Sequence, residues 1–429
     1  MKFFCDLHLH SRFSRATSKD LTIPNLDKYA RIKGLNILGT GDFTHPKWFA
    51  ELKEVLHEDG TGIPKSANGM NYIFQAEVSS IYTQDGSGRR IHNIILAPSF
   101  EIVAQINEFL SKKGNLLSDG RPIIGRYPCY EMVADLKKIS KDIEIIPAHI
   151  WTPWFSLFGS MSGFDRIEDC FKDQAKHIFA LETGLSSDPA MNWRLSALDR
   201  FALVSNSDAH SFWPWRIGRE CNIFDFDPDK LTYKGLIGSL KEKDPKKFLG
   251  TVEVNPAYGK YHVDGHRLCN VSMMPKETKK NNGICPVCGK PLTIGVLNRV
   301  EELADREEGY VPKGAIPFYT MLPLSEVIAN VMGEGNVSSK KVWAVFNTLI
   351  GKFGNEFAVL TDAPRDELEK LIAPKIADAI MKNRIGAIEV KPGYDGVYGV
   401  PIFDKEEMAR ETERAEKAQK RPQKRLLDF

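Results

Sequence analysis

The chain has 429 residues, with 58 Lys and Arg against 56 Asp and Glu, a formal charge of +2 at neutral pH and 42% hydrophobic residues. This length accommodates two or three domains with cores of their own, and the composition is that of an ordinary globular protein. Near-neutrality excludes a nucleic-acid binder that acts through a global positive field, so any such surface must be a local patch.

The amino terminus, MKFFCDLHLHSRFS, meets charged residues early and lacks the apolar stretch and cleavage site of a signal peptide. No apolar run approaches the roughly 18 residues of a membrane span. A cytoplasmic protein with no membrane partner is expected. Seven cysteines, of which only Cys285 and Cys288 stand at a recognisable spacing, argue against a disulfide framework.

Residues 1–230 alternate short apolar runs with helical patterns, which predicts an α/β unit. Strands are expected at 2–8, 36–41, 72–84, 90–96, 143–149, 178–182 and 202–207, with DGSG as a hairpin turn between the third and fourth. Helices are expected at Ile23–Lys33 and Phe100–Lys112. Residues 231–260 read as a connector containing the charge run KEKDPKK, and 261–300 as a compact Cys/His segment. Residues 301–403 read as a helical domain, because Leu324, Ile328, Val331 and then Val342, Val345, Phe346, Leu349 recur at helical intervals. Residues 404–429 form a charged tail, a solvated helix or a disordered arm over most of its length. No repeat of solenoid period is present.

The placement of histidine carries the chemistry. Six of the ten histidines, His8, His10, His45, His92, His149 and His210, fall at or beside expected strand ends or in tight motifs. Asp42, Glu77 and Asp208 join them. Side chains alternate along a strand, so His8 and His10 in DLHLH share a face, and Asp208 and His210 in NSDAH repeat the pattern. In a closed α/β barrel such strand ends converge on one mouth. Imidazole with carboxylate suits Zn, Mn or Fe rather than Ca.

DLHLHS, GTGD, the Glu of QAEVS, His92, the His of PAHIW and SDAH together resemble the motif series of the polymerase-and-histidinol-phosphatase (PHP) superfamily. The resemblance covers roughly residues 1–230 and implies a distorted seven-stranded β/α barrel with a trinuclear metal site. It implies His8, His10, Glu77 and Asp208 at a first ion, and Glu77, His92 and His149 at a second, with Glu77 bridging. Asp42 and His210 would belong to a third. These eight residues are the expected catalytic and metal-binding set. The chain departs from many relatives in having Asp42 and Arg15 where they have His, which implies a third ion more weakly or differently held; His45 is a substitute ligand for it. Bound ions would activate water and neutralise phosphate oxygens. Arg12, Arg15 and Arg216 lie beside the motifs as candidate phosphate clamps.

Downstream, YHVDGHRLC and ICPVC place Cys269, Cys285 and Cys288 with His266 as a tetrahedral structural zinc set, and His262 or Asp264 is an alternative fourth ligand. Aromatic residues crowd the catalytic motifs. Trp151, Trp154 and Phe155 follow His149, and Phe212, Trp213, Trp215 and Arg216 follow His210. Such rings suit stacking on an extruded base, although they also suit loop packing over a barrel.

The barrel motifs, the segment from YHVDGHRLC to ICPVCGKPLTIGVLNRVEELADR and the helical carboxyl region together resemble the endonuclease Q family across nearly the whole chain. The resemblance implies incision of DNA on the 5′ side of deaminated bases (uracil, hypoxanthine, xanthine) and of abasic sites, by base flipping. It implies two or three Zn ions in the barrel, one structural Zn, and Mg or Mn as activating ions. A phosphatase of small phosphate monoesters is the alternative. In the terminal QKRLLDF, Gln423, Leu426 and Phe429 take the first, fourth and seventh places of a sliding-clamp (PCNA) binding box.

Overall fold

The computed structural model describes residues 1–403. The tail 404–429, with Gln423, Leu426 and Phe429, lies outside the described residues. Each of the seven expected strands has a counterpart, at Lys2–Asp6, Ile37–Gly39, Asn71–Gln84, Ser87–Ala97, Glu144–Pro147, Ala180–Glu182 and Ala202–Val204. The first three pair in parallel, with Cys5 opposite Ile37 and Ile37 opposite Asn71. Asn71–Gln84 then forms a long hairpin with Ser87–Ala97, and the latter pairs antiparallel with Glu144–Pro147. The hairpin turn is Asp85-Gly86, both in the left-handed region (φ 53° and 75°), as a tight primed turn requires. Ala180–Glu182 and Ala202–Val204 run parallel to each other. Ile150 N–H donates to Glu182 O, and a parallel bridge between Leu9 and Ala209 joins the last of these segments to the first.

This is a mixed α/β fold with a central sheet, and the sheet is wider than the alternation of elements predicts. Lys2–Asp6 also pairs antiparallel with Cys221–Asp225, which pairs with Phe248–Glu253, which in turn pairs with Phe318–Thr320. The region 231–260 is therefore not a plain connector. It contains the helix Tyr233–Glu242 and the strand Phe248–Glu253. Leu236, Ile237 and Leu240 are buried and pack in one cluster with Phe3, Cys5, Leu7, Ile94, Leu96 and Ile146. The short helical stripe Leu236–Leu240 is masked in sequence by the charge run that follows it.

Helices cover Leu324–Val331, Lys340–Phe353, Glu356–Thr361 and Pro374–Arg384, while residues 389–402 form a two-stranded hairpin instead of helix. The helical unit is seated on the sheet. Phe4 stacks on Phe357 (4.1 Å, 11°), and the fully buried Lys33 pairs with Glu356 at 2.7 Å. Among the described residues no helix is long and apolar enough to cross a membrane.

Candidate metal centre

His8 and His10 follow the first strand and flank Leu9, and their rings lie 5.5 Å apart, centre to centre. Glu77 comes from the long hairpin strand and His92 from its partner. His149 follows Glu144–Pro147, and Asp208 follows Ala202–Val204. The fold gathers them into two groups that share one residue. His8, His10, Glu77 and Asp208 form the first, and Glu77, His92 and His149 the second, with the ligand atoms of each group within 4.8 Å of one another. Glu77 is fully buried between them. Its Oε1 faces His92 Nδ1 at 2.7 Å and His149 Nε2 at 3.1 Å, and its Oε2 faces His10 Nε2 at 3.4 Å.

The donor set fits cations. His8 Nδ1 faces Glu182 at 3.0 Å, so it carries the proton and leaves the Nε2 lone pair inward. That Nε2 is buried and has no hydrogen-bond partner. Glu77 and Asp208 oxygens lie 3.7 and 3.8 Å from it. A lone pair converging with two carboxylates is repulsive unless positive charge lies between them.

Electrostatics keep the carboxylates ionised. Burial opposes the charge on Glu77, but His92 Nδ1, 2.7 Å away, and the Arg121 guanidinium hold its carboxyl well below the usual range. Burial likewise opposes the charge on Asp208, but the hydrogen bond with His10 holds its carboxyl well below the usual range. Burial pushes the His92 imidazole down to about 4 despite Glu77, which keeps it neutral and able to ligate. Three of these loops are held in the left-handed region by non-glycine residues, with φ of 41° at Asp42, 31° at His149 and 48° at Asp208. Such strain concentrates at functional sites.

Asp42, expected with His210 at a third ion, stands outside both groups. Its Oδ1 binds His10 Nδ1 at 3.0 Å, and its Oδ2 accepts from the Ser11 backbone N–H and from the hydroxyls of Ser11 and Ser14. Both oxygens are occupied, so Asp42 orients His10 instead of offering itself to an ion. His210 also stands outside the groups, half-exposed, with its ring 4.5 Å from that of His10 and Nδ1 bonded to the Asp208 carbonyl. His45 is stacked on Phe13 at 4.3 Å and also stands outside both groups.

Two residues that sequence reasoning passes over belong here. Glu182, fully buried, accepts from His8 Nδ1 and from the His149 backbone N–H at 2.8 Å. It ends an expected strand, so the logic that finds Glu77 could have found it. Arg121 donates from Nη1 to Glu77 Oε2 at 3.0 Å. It has no sequence signal. Gly120 brings it in, since a Cβ there would stand 2.3 Å from Asp42 Oδ2 and 2.4 Å from Ser14 Oγ. Of the expected clamps, Arg12 is paired with Glu51, Arg15 is paired with Asp119 at the surface, and Arg216 is exposed.

Because Glu182 fixes two ligands at once, Glu182→Gln is expected to weaken metal affinity about 10–100-fold while the fold persists. Competition against a metallochromic chelator measures it, and unchanged affinity would remove Glu182 from the site.

Downstream, His266, Cys269, Cys285 and Cys288 form a third group with ligand atoms within 4.8 Å of one another, and Cys288 Sγ lies 3.4 Å from His266 Nδ1. Burial pushes the Cys285 thiol up, but the backbone N–H groups of Cys288 and Val287 outweigh it and bring the thiol to about 6, towards the thiolate a metal needs. The alternative fourth ligands are disposed of. Asp264 spends both oxygens on Gly295 N–H and Asn298, and His262 is outside the group.

The aromatic residues separate into rim and core. Trp154 is half-buried against Tyr261, and Phe155 lies 4.8 Å from the His92 ring. Trp213 and Trp215 stack on each other at 5.0 Å, and Trp343 of the helical unit meets both edge-on. Trp151 is a correction. Its ring is fully buried and its Nε1 donates to Asn192, so no face is open to a base. Trp215 is 7% exposed, and Phe212, equally covered, packs on Tyr29.

Comparison with known proteins places this geometry. The chain superposes on the lesion-specific endonuclease PfuEndoQ from Pyrococcus furiosus with a TM-score of 0.84 and 32% identity, over 95% of this chain and 97% of that one. The chain belongs to the endonuclease Q family. A second structure, of endonuclease Q in complex with a 27-mer duplex carrying an abasic lesion at the active site, matches with a TM-score of 0.83, at 32% identity and over 98% of its length. YqxK of Bacillus subtilis is 32% identical over 420 residues, which span 98% of that protein. The Methanocaldococcus jannaschii protein MJ0043 is 38% identical over 258 residues, a match that covers 59% of this chain and only 31% of that protein. The model of the MJ0043 C-terminal domain family matches residues 323–387, within the helical unit.

Proposed function

We propose that this chain is a metal-dependent DNA repair endonuclease that hydrolyses the phosphodiester 5′ to deaminated bases (uracil, hypoxanthine, xanthine) and abasic sites. The observation that carries the reading is the likeness, across 95% of the chain, to endonuclease Q structures. The structure of the complex holds a duplex with an abasic lesion at its active site. In this reading the first seven strands form a PHP-type barrel. His8, His10, Glu77 and Asp208 hold one ion, and Glu77, His92 and His149 hold another. With Asp42 committed to His10, two ions suit the barrel better than three. The Cys/His group holds a structural zinc, and the helical unit is a DNA-binding domain.

When bound, the ions supply Lewis-acid polarisation of phosphate oxygens and activation of water, and Mg or Mn serves as an activating ion beside Zn. The chain's own groups do the rest. Glu182 fixes the tautomer of His8 and the backbone at His149, and Asp42 fixes the orientation of His10. Arg121, beside Glu77, clamps a non-bridging phosphate oxygen. Trp154, Phe155 and Trp213 line the approach on which an extruded base stacks, and Arg216 reaches the backbone. Gln423, Leu426 and Phe429 recruit a sliding clamp, and the site of action is the cytoplasm.

The test is incubation with labelled duplexes carrying one uracil, hypoxanthine, xanthine or abasic site, with and without chelator. A single nick 5′ to the lesion, with 3′-hydroxyl and 5′-phosphate ends, is expected, and none in the undamaged duplex. Asp208→Asn should abolish the nick and leave duplex affinity within about twofold. Release of phosphate from small monoesters without nicking would replace this reading with that of a phosphatase.

A further inference from the structure

The loop after His149, residues 151–165, carries Trp154 and Phe155, and its Phe155 carbonyl accepts from the His92 backbone N–H. It is wound tightly on itself. Phe158 N–H returns to Ile150 O, Met161 N–H to Pro153 O and Phe164 N–H to Leu157 O. A Cβ at Gly159 would stand 2.3 Å from Thr152 O, and one at Gly163 would stand 2.4 Å from Gly159 N. On the hairpin side Arg89 pins the loop, donating to Gly163 O with its guanidinium 4.1 Å over the Phe164 ring.

On the other side the pin comes from a different part of the chain. Arg299 lies on the helix Val296–Leu303, which follows the Cys/His segment, and is only 8% exposed. Its Nε donates to Phe158 O at 3.0 Å, and its Nη2 to Phe164 O at 3.3 Å and to Asp165; Nη1 goes to Glu302 at 2.8 Å. The helix is itself fastened to that segment. Asp264 accepts from Gly295 N–H and Asn298, Gly265 pairs with Thr293, and Tyr261 beside them packs on Trp154. One planar guanidinium thus holds two carbonyls and one carboxylate of a loop more than a hundred residues away, a task the fork geometry of Arg suits.

We infer that Arg299 is a positioning residue for the hydrolysis. It sets the loop 151–165 in the shape that presents Trp154 and Phe155 to the nucleic acid. This rests on the reading of the preceding subsection. Arg299 touches none of the ion-holding side chains, and the loop it holds meets His92 through the Phe155 carbonyl, so its loss acts first on substrate engagement.

Arg299→Gln and Arg299→Lys in the full chain test it, by steady-state nicking of an abasic duplex and by amide hydrogen exchange. For Arg299→Gln, KM is expected to rise about 10- to 100-fold with kcat within about twofold. Exchange in 151–165 is expected to quicken while the helix Cys129–Ile139 and the central strands keep their protection. Arg299→Lys, with one ammonium for two carbonyls, should fall between it and the wild type, and it carries the comparison if the Gln variant does not fold. Unchanged exchange in 151–165, uniform loss of protection along the chain, or a fall in kcat at constant KM would overturn the inference. A wild-type protein that nicks no lesion would instead sink the functional reading, and the exchange comparison would still judge whether Arg299 pins the loop.

Discussion

Glu77→Gln is expected to reduce nicking on the order of 10³-fold or more, because one carboxylate serves both ion positions. Its two oxygens face His92 and His149 on one side, and His10 and Arg121 on the other. The amide has the same shape, so packing against the fully buried surroundings is kept. It has no charge, and one of its two ends becomes a donor aimed at imidazole lone pairs. Two consequences should appear together. Elemental analysis should find the barrel ions depleted while the Cys/His group keeps its own. Circular dichroism and thermal unfolding of the metal-free proteins should differ little. A Glu77→Gln variant that retains both its ions and its nicking rate would mean that the two groups do not act as one centre.

The largest effect on stability is expected at the contact between the sheet and the helical unit. Lys33 and Glu356 have side-chain exposures of 1% and 0%, and Lys33 Nζ also donates to Pro214 O at 2.9 Å. Glu356 Oε1 accepts from Leu324 N–H as well. Removing one partner of a buried pair leaves a stranded charge, so Lys33→Ala should cost about 3–5 kcal/mol. Lys33→Met with Glu356→Gln should recover most of that, since no lone charge remains and Leu324 N–H keeps its acceptor. Urea unfolding of the wild type, Lys33→Ala and the double variant measures it. A single variant no less stable than the double would show that the pair is not the anchor. Pro214 lies between Trp213 and Trp215, so Lys33→Ala should also loosen the stacked rings, visible as a change in tryptophan fluorescence.

Much of the fold was legible along the chain. The seven expected strands appear, because short apolar runs between turn residues report burial locally, and Asp85-Gly86 forms the turn that its residue types favour. The region 231–260 misled because a charge run at the end of Tyr233–Glu242 hid the few apolar positions that seat the helix. The hairpin at 389–402 is short and half-exposed, so it leaves little periodicity to read.

For the centre, the kinds of candidate ligand were legible in the sequence alone. The two-residue period of extended backbone is a local property, so His8 with His10 could be paired without knowledge of the rest. What each group does was decided only in three dimensions. Asp42 looks like one more ligand until the Ser11–Ser14 turn is seen to occupy its second oxygen and His10 its first. Arg121 enters because Gly120 lets two loops approach without a Cβ between them. Trp151 and Trp154 are three residues apart and alike in composition, yet one is interred and the other lies at the rim. Residue identity and spacing determine which atoms can bind a cation. Which of them are left unspent depends on hydrogen bonds between segments tens to hundreds of residues apart, and only the packed chain brings those segments together.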